Sequence, residues 1–322
     1  MRTIDFGATS AVRSQSVWHG LAAAMRPDDE PVLSFVQPAE PYVCLGYHRD
    51  IAEVDTEYCA AEHLPVLRRM VGGGPVYLDD QQYFFQITLP VSAVPGRRSS
   101  ALATLLAPAV SALQSLGIPA VLDEFSEITV GEAKVCGHGA GQVGEGVAIV
   151  GNLITGFDHA RATRILRLSD DLRREVLGLM QSYVVATPLV DADAWKAAMV
   201  REYEVALGRE SKGSTLRSEE EAAIAEYDVT MVDPEFVAGF SRPRRPVRTI
   251  KVRAGVWVHE YNPGQQHFVV TIAEGMVRSV IGDLPADVVG LDVARAEKVL
   301  QEAEELAPLA AAMVSAHSEV AA

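Results

Sequence analysis

The sequence predicts an α/β (α+β) chain in two parts, a larger domain of interleaved strands and helices and a small α+β domain behind a linker. Three observations predict it. From Gln15 to Leu207, short apolar runs of strand length alternate with helical runs. The segment SRPRRPVR, with Pro243 and Pro246 among its arginines, has the composition of an extended linker. Behind it, alternating strands precede one alanine- and glutamate-rich helix, the order of a small α+β unit. The expected division is 1–240, a linker at 241–248, and 249–322.

Element by element, helical spacing of Val17, Leu21 and Ala24 predicts a helix over Gln15–Met25. Strands are expected over Val32–Val36 and Tyr42–Tyr47, a helix over Asp55–His63, and a strand over Val66–Met70 that breaks at Gly72-Gly73-Gly74. Val76–Tyr77 and Tyr83–Leu89 continue the sheet. Ser99–Leu116 is an apolar-faced helix stopped by Gly117 and Pro119. Glu127–Val130 and Ala133–Cys136 form a hairpin about Gly131-Glu132. Val147–Thr155, nearly all apolar, suits a buried central strand. Polar helices follow over Asp158–Leu177 and Asp193–Leu207. In the second part, Thr249–Glu260, His267–Ala273 and Met276–Ile281 read as strands and Asp292–His317 as a helix. The five glycines between Gly137 and Gly146 predict a mobile loop that orders over bound ligand.

Composition narrows the function. With 322 residues, 48% hydrophobic and 22% charged, the chain can bury a sizeable core. The 43 acidic and 28 basic residues leave a net charge of −15, which disfavours nucleic acid as partner. No apolar run is long enough to span a bilayer, and the start lacks a signal-peptide core. Cys44, Cys59 and Cys136 form neither a disulfide framework nor a zinc pattern, and fit a reducing cytoplasm. The basic cluster Arg242, Arg244, Arg245, Arg248, Lys251 and Arg253 reads either as a solvated linker or as a docking strip for an acidic protein.

Two segments carry chemistry. In LRRMVGGGPVYLD, glycines leaving a strand let backbone approach a ligand closely, and their N–H groups can hold phosphate or carboxylate oxygens. Arg68 and Arg69 can add charge-assisted hydrogen bonds. The pattern is neither Walker A nor a Rossmann fingerprint. In EITVGEAKVCGHG, Lys134 sits on a short strand where a point charge can face an anionic ligand. An ordinary hairpin lysine and a flexible glycine turn are the plain alternatives. Cys136 reads as a small buried hydrophobe and His138 as a loop histidine.

Taken together, these segments resemble lipoate–protein ligases. RRMVGGGPVYLD is similar to that family's RR-x-SGGG-AV-x-HD segment, and SEITVGEAKVCG to its ND-I-x-V-x-G-K-K-I-SG segment. GVAIVGNLI falls where the family has a HHGTLL-type strand, and YVCLGYHRD resembles an upstream strand. The resemblance covers Ser14 to Leu207. KVRAGVWVHEY through Gly282-Asp283 is similar to the family's accessory domain, with Leu284 in place of a phenylalanine. The sequence departs from the family at Val71, Leu78, Ser126-Glu127, Cys136 and Ile149-Val150, where polar groups are expected, so a more apolar pocket is implied.

The resemblance implies a class II biotin/lipoate ligase-like mixed sheet flanked by helices. It further implies that ATP, with Mg2+, activates lipoate or a similar medium-chain acid as an acyl-adenylate, which passes to a lysine of a lipoyl carrier domain protein. Lys134 would be the catalytic electrostatic residue. Arg69, Gly72, Gly73, Gly74, Val76, Tyr77, Asp79, Gly137, Gly151 and Asn152 would line the ligand, with no protein-held metal. Val76, Tyr77, Phe84, Phe85, Ile87 and Val150 are candidates for an acyl tunnel, with alternate ones facing the core. The alternatives are an ATP-independent octanoyl or lipoyl transferase using Cys136, a biotin ligase, and a non-catalytic homologue that binds a lipoyl domain.

Overall fold

The computed structural model describes residues 1–96, 98–187, 191–239, 245–284 and 287–318. The chain forms two compact units, Met1–Leu166 with Val185–Ser241, and Arg167–Val184 with Arg242–Ala322. Residues 241–244 of the expected linker, Arg242 and Arg244 among them, lie outside the described residues.

In the first unit the elements run β1 (Arg2–Thr9), α1 (Ala11–Ala23), β2 (Val32–Pro38), β3 (Tyr42–Leu45), α2 (Thr56–Ala61), β4 (Val66–Arg68), β5 (Val76–Leu78) and β6 (Gln82–Pro90). Then come α3 (Arg98–Ser115), β7 (Val121–Leu122), β8 (Ile128–Val130), β9 (Ala133–Val143), β10 (Gly146–Ile154) and α4 (His159–Arg164). After α5 (Asp170–Tyr183), which belongs to the second unit, follow α6 (Ala192–Leu207), β11 (Lys212–Gly213), α7 (Ser218–Thr230) and α8 (Pro234–Ala238).

Eight strands form one mixed sheet in the order β11-β1-β2-β6-β10-β9-β8-β7, and β4-β3-β5 form a smaller one. The class expected from the sequence, a mixed sheet flanked by helices, is the one observed. Alternation along the strands gives the large sheet two unlike faces. Leu33, Phe35, Phe85, Ile87, Ile149 and Leu153 pack against α3 and α6 in the main core. The opposite face carries Ser34, Gln86, Thr88, Ala148 and Val150, which share rows by register. It lies under α1, where Trp18 packs on Ala148, and under the small sheet, whose Tyr42, Cys44, Leu67 and Leu78 meet Val36 and Phe84.

Several expectations are corrected. The glycines of 137–146 do not make a long loop: β9 runs to Val143 and pairs with β10 from Cys136 onward, leaving a tight turn at Gly144-Glu145. Three of those glycines serve close packing instead, since a Cβ at Gly137 would collide with Asn152, one at Gly141 with Val71 and one at Gly146 with Ala22. The helix expected over Asp158–Leu177 is two helices, divided where Leu166 bridges to Val54. The first strand and α7 were not expected. α7 is held by charge: Glu220, 1% exposed, accepts from Arg2 and Arg217, while Arg13 pairs with Glu221 and Asp228.

The second unit is an antiparallel sheet β12 (Val247–Arg253), β13 (Val256–Tyr261), β14 (Phe268–Ala273) and β15 (Met276–Ile281), with α9 (Val293–Gln301) and α10 (Ala307–Ser318). Phe268, Val270, Ile272 and Val277 pack against Ala296, Leu300, Leu309 and Met313. The expected single strand Thr249–Glu260 is a hairpin turning at Ala254-Gly255, and the expected helix Asp292–His317 is two. α5 lies inside the 1–240 span in sequence, yet it packs in this unit, where Glu175 accepts from Thr271 at 2.6 Å and Ser279 at 2.7 Å. No helix among the described residues is long and apolar enough to cross a membrane.

Candidate functional site

The glycine loop leaves β4 and is shaped by two arginines with different tasks. Arg68 is 2% exposed. It donates to the carbonyls of Gly46, Tyr47 and Arg49 on one side and of Val237 and Ala238 at the end of α8 on the other, at 2.7–3.2 Å. Arg68 is therefore a structural clasp rather than a ligand donor. Arg69 donates to Gly72 O at 2.7 Å, Gly74 O at 3.0 Å and Cys44 O at 2.9 Å, curling the loop around its guanidinium. Gly73, at φ +96°, has to be glycine, because a side chain there would be strained and would meet Arg69. With the Gly72 carbonyl turned toward Arg69, the planar trans peptide turns the Gly73 N–H the other way, available to an anion.

His19 fixes the entry to this loop. Its Nδ1 lies 2.7 Å from Gln15 O, and its Nε2 accepts from the Met70 N–H at 3.0 Å, so the neutral Nδ1–H tautomer satisfies both. Burial, with Arg69 nearby, lowers its pKa to about 3. Because the folded value lies below the ordinary 6.5, the unfolded chain takes up the proton first as pH falls. His19 therefore contributes its full stability above about pH 6.5 and loses it as pH drops toward 3, at up to about 1.4 kcal/mol per pH unit. We expect the denaturant midpoint to fall with acidification through this window, and His19→Gln to flatten the slope. His259, lowered to about 4 by burial, adds its own slope from the second unit.

Lys134 is aimed by a strand irregularity. Ile128 pairs with Cys136 but Thr129 with Lys134, so β9 carries a bulge at Val135. Val135 and Cys136 both enter the main core with Ile128. Thr129 and Lys134 consequently face the other way, onto the side that carries Gly137 and Asn152. Strict alternation would have put Lys134 on the core face with Cys136. Its Nζ donates to Glu127 Oε1 at 2.8 Å, and the Glu127 side chain is 5% exposed. Glu127, read in the sequence only as a family departure, is thus the local counter-charge.

The other expected residues divide. Asn152, on the Lys134 side, fills the space over Gly137 and donates to Gln82 Oε1 at 2.7 Å. Asp79 accepts from the Gln81 N–H at 3.0 Å, and burial raises its carboxyl above the usual range. Tyr77 is buried edge-on to Phe157, its phenol pushed up to about 12 by burial. Val76 is exposed at the start of β5, opposite Cys44. Gly151 lies on the core face, where it gives room to the Phe85 ring. Of the tunnel candidates, Phe85 and Ile87 face the main core, while Phe84 and Val150 face the α1 side. A depression of about 610 Å3 along Ile4–Phe6 and Ser214–Glu221 is separate from all these residues and lacks their chemistry. Cys136 is buried on the core side, and its thiol is pushed up to about 12 by burial.

Residues 15–186, more than half the chain, match the lipoyl protein ligase A/B catalytic domain. A curated relative, lipoate–protein ligase 1 of Staphylococcus aureus (strain Mu50 / ATCC 700699), is 30% identical over 130 residues, covering 40% of this chain and 39% of that protein. The chain thus matches well under two thirds of that relative's length. Among solved structures, a bi-partite lipoate protein ligase from Thermoplasma acidophilum superposes with TM-score 0.68 at 20% identity, covering 76% of this chain and 98% of that one. A lipoate-protein ligase A bound with ATP gives 0.63 at 20% identity, covering 74% and 98%. The structures share the fold, and the family match over residues 15–186 carries the assignment: this chain belongs to the lipoyl protein ligase A/B catalytic-domain family.

Proposed function

We propose that the protein is an ATP-dependent lipoate–protein ligase acting in the cytoplasm on lipoate or a similar medium-chain acid. The observation that carries this reading is the bulge at Val135, which turns Lys134 out of the core and onto the face reached by the glycine loop. A carboxylate oxygen attacks the α-phosphorus of ATP, and pyrophosphate leaves with the bonding pair. The neutral amine of a carrier lysine then attacks the acyl carbon, AMP leaves, and the amine proton passes to solvent. Two anions meet in the first step, and Lys134 with the Gly73 N–H lowers their repulsion.

Before substrate binds, Glu127 holds Lys134 in place; the incoming carboxylate and phosphate compete for the same ammonium. Among the described residues no three His, Cys, Asp or Glu side chains are grouped to hold a metal. Magnesium is therefore expected to be held chiefly by the nucleotide's phosphate oxygens. The free cysteines suit a reducing compartment. Relatives described as bound with ATP or as belonging to a lipoylation system support the nucleotide and the carrier domain as partners.

Mass spectrometry of a lipoyl carrier domain incubated with the protein, lipoate and Mg-ATP tests the reading. A lipoyl adduct on a lysine that requires ATP supports it, and modification that proceeds without nucleotide refutes it. The thiol-transferase alternative fares poorly on geometry, because Cys136 faces the core, away from Lys134, with a thiol that burial keeps protonated. Cys136→Ala is accordingly expected to keep transfer within about threefold of wild type, at a stability cost of ~1 kcal/mol for the lost sulfur.

A further inference from the structure

On the sheet face under α1, three buried polar atoms have no hydrogen-bond partner among the described residues: the indole N–H of Trp18, the amide nitrogen of Gln86 and the hydroxyl of Thr88. The three side chains are at most 1% exposed. Register brings them together. Gln86 stands opposite Val150 and Thr88 opposite Ala148, while Trp18 packs on Ala148 with Val150 at the margin of the same cluster. Ser34 donates to Gln86 Oε1 at 2.9 Å, which fixes the amide and leaves its NH2 as a free donor.

The same row has unfilled room. Gly139 follows Val150 across the sheet, and a Cβ added there would meet nothing within 4 Å. Its neighbours differ: the space over Gly137 is taken by Asn152, and that over Gly141 by Val71 of the glycine loop. The open place thus lies one row from Val71 of the loop and across Val150 from Gln86. From the Asn152 row, nearest Lys134, to the Ala148 row is four residues of strand, ~13 Å, comparable to the reach of an extended eight-carbon acid.

Packing alone does not account for these groups. An unmet buried donor is costly, whereas an apolar residue of the same shape in its place costs little. On this face of β6, buried Gln82 accepts from Asn152, whereas the Gln86 amide nitrogen and the Thr88 hydroxyl have no partner among the described residues.

We propose that Trp18, Gln86 and Thr88 form a specificity subsite that recognises the far end of the acid, selecting chains that end in a hydrogen-bond-accepting heteroatom over those that end in a methyl group. The proposal rests on the ligase reading, in which the carboxylate end sits at Lys134. A sulfur end is a weak acceptor and an oxygen end a stronger one, so both outrank a hydrocarbon end here.

Calorimetry on the full chain with octanoate and 8-hydroxyoctanoate, without nucleotide, reads this subsite directly. The hydroxylated acid is expected to bind roughly tenfold tighter or better. Thr88→Val, Gln86→Met and Trp18→Phe should each bring the ratio toward one, mainly by weakening the hydroxylated acid. Thr88→Val should melt at or above the wild-type temperature, since it removes an unmet donor at nearly constant shape, whereas Gln86→Met also takes the acceptor from Ser34. Octanoate binding as tightly as its hydroxylated partner, binding of neither acid, or a ratio unchanged in all three variants would overturn the proposal. A lower melting temperature for Thr88→Val would also overturn it, since the hydroxyl would then be satisfied in the free protein, as by an internal water. Pyrophosphate release with Mg-ATP is followed separately. Its absence with an acid that binds would remove the ligase reading and leave the subsite standing.

Discussion

Replacing Lys134 by alanine is expected to slow pyrophosphate release by about 10²–10³-fold, the range for losing one preorganised electrostatic donor at a site of developing charge. The same change also takes an ammonium from a nearly buried carboxylate. Glu127 is nearly buried and loses the ammonium 2.8 Å away, whereas the Lys134 side chain is 18% exposed and keeps some contact with water. The stability cost is therefore below that of breaking a fully buried pair, on the order of 1–3 kcal/mol. A second substitution separates the two effects. Glu127→Gln in the Lys134→Ala background removes the charge that Lys134 balanced, so the melting temperature should rise again while the chemistry stays slow. Recovery of rate together with stability would show that Lys134 acts only by holding the hairpin together, and the catalytic assignment would fall.

The largest expected loss of stability comes from Arg68→Ala. The guanidinium meets carbonyls from the end of β3, from the Tyr47–Arg49 turn and from the last turn of α8, segments far apart in sequence. Alanine leaves those acceptors without their donor and opens a cavity where a large side chain was fully buried. A cost of about 3–5 kcal/mol is expected, which lowers the first unit's melting transition by on the order of 10 °C. Lysine cannot substitute, because one ammonium does not span two sets of carbonyls on opposite sides of a planar fork. Arg69→Ala should differ, with a smaller stability loss and weaker nucleotide binding, since the Gly72 and Gly74 carbonyls it holds lie on an exposed loop and only Cys44 O is buried. Thermal unfolding of the two variants side by side checks the distinction; equal losses would contradict the separate tasks given to the neighbouring arginines.

Much of this architecture was legible in the residues. The apolar run at Val147–Thr155 foretold the central strand, and the helix ended by Gly117 and Pro119 lies where its spacing put it. What escaped was set by contacts distant in sequence. α7 shows little apolar periodicity, and its docking through Arg2 and Arg13 cannot be read from its own glutamates. The glycines of β9 suggest a loop because a glycine tolerated for close approach looks the same as one chosen for mobility. At the site, Lys134 and the glycine loop were visible as residue types. The face Lys134 points to was not, because one extra residue in a strand reverses it. Gln86 and Thr88 did leave a signal, since with Gln82 they are polar residues on one face of β6, which periodicity alone reads as the solvent face.

The placement of α5 has a consequence for synthesis. The helix leaves the ribosome well before strands β12 to β15, with which its residues are joined in one unit. At roughly 5–20 residues per second, it waits on the order of ten seconds for its sheet. Throughout that interval Leu172 and Val176, buried in the finished protein, have no sheet to cover them. The nascent chain thus carries an apolar stripe that chaperones can hold and that neighbouring nascent chains can join. Slowing translation downstream of α5 should lower soluble yield even though no residue of the folded protein has changed.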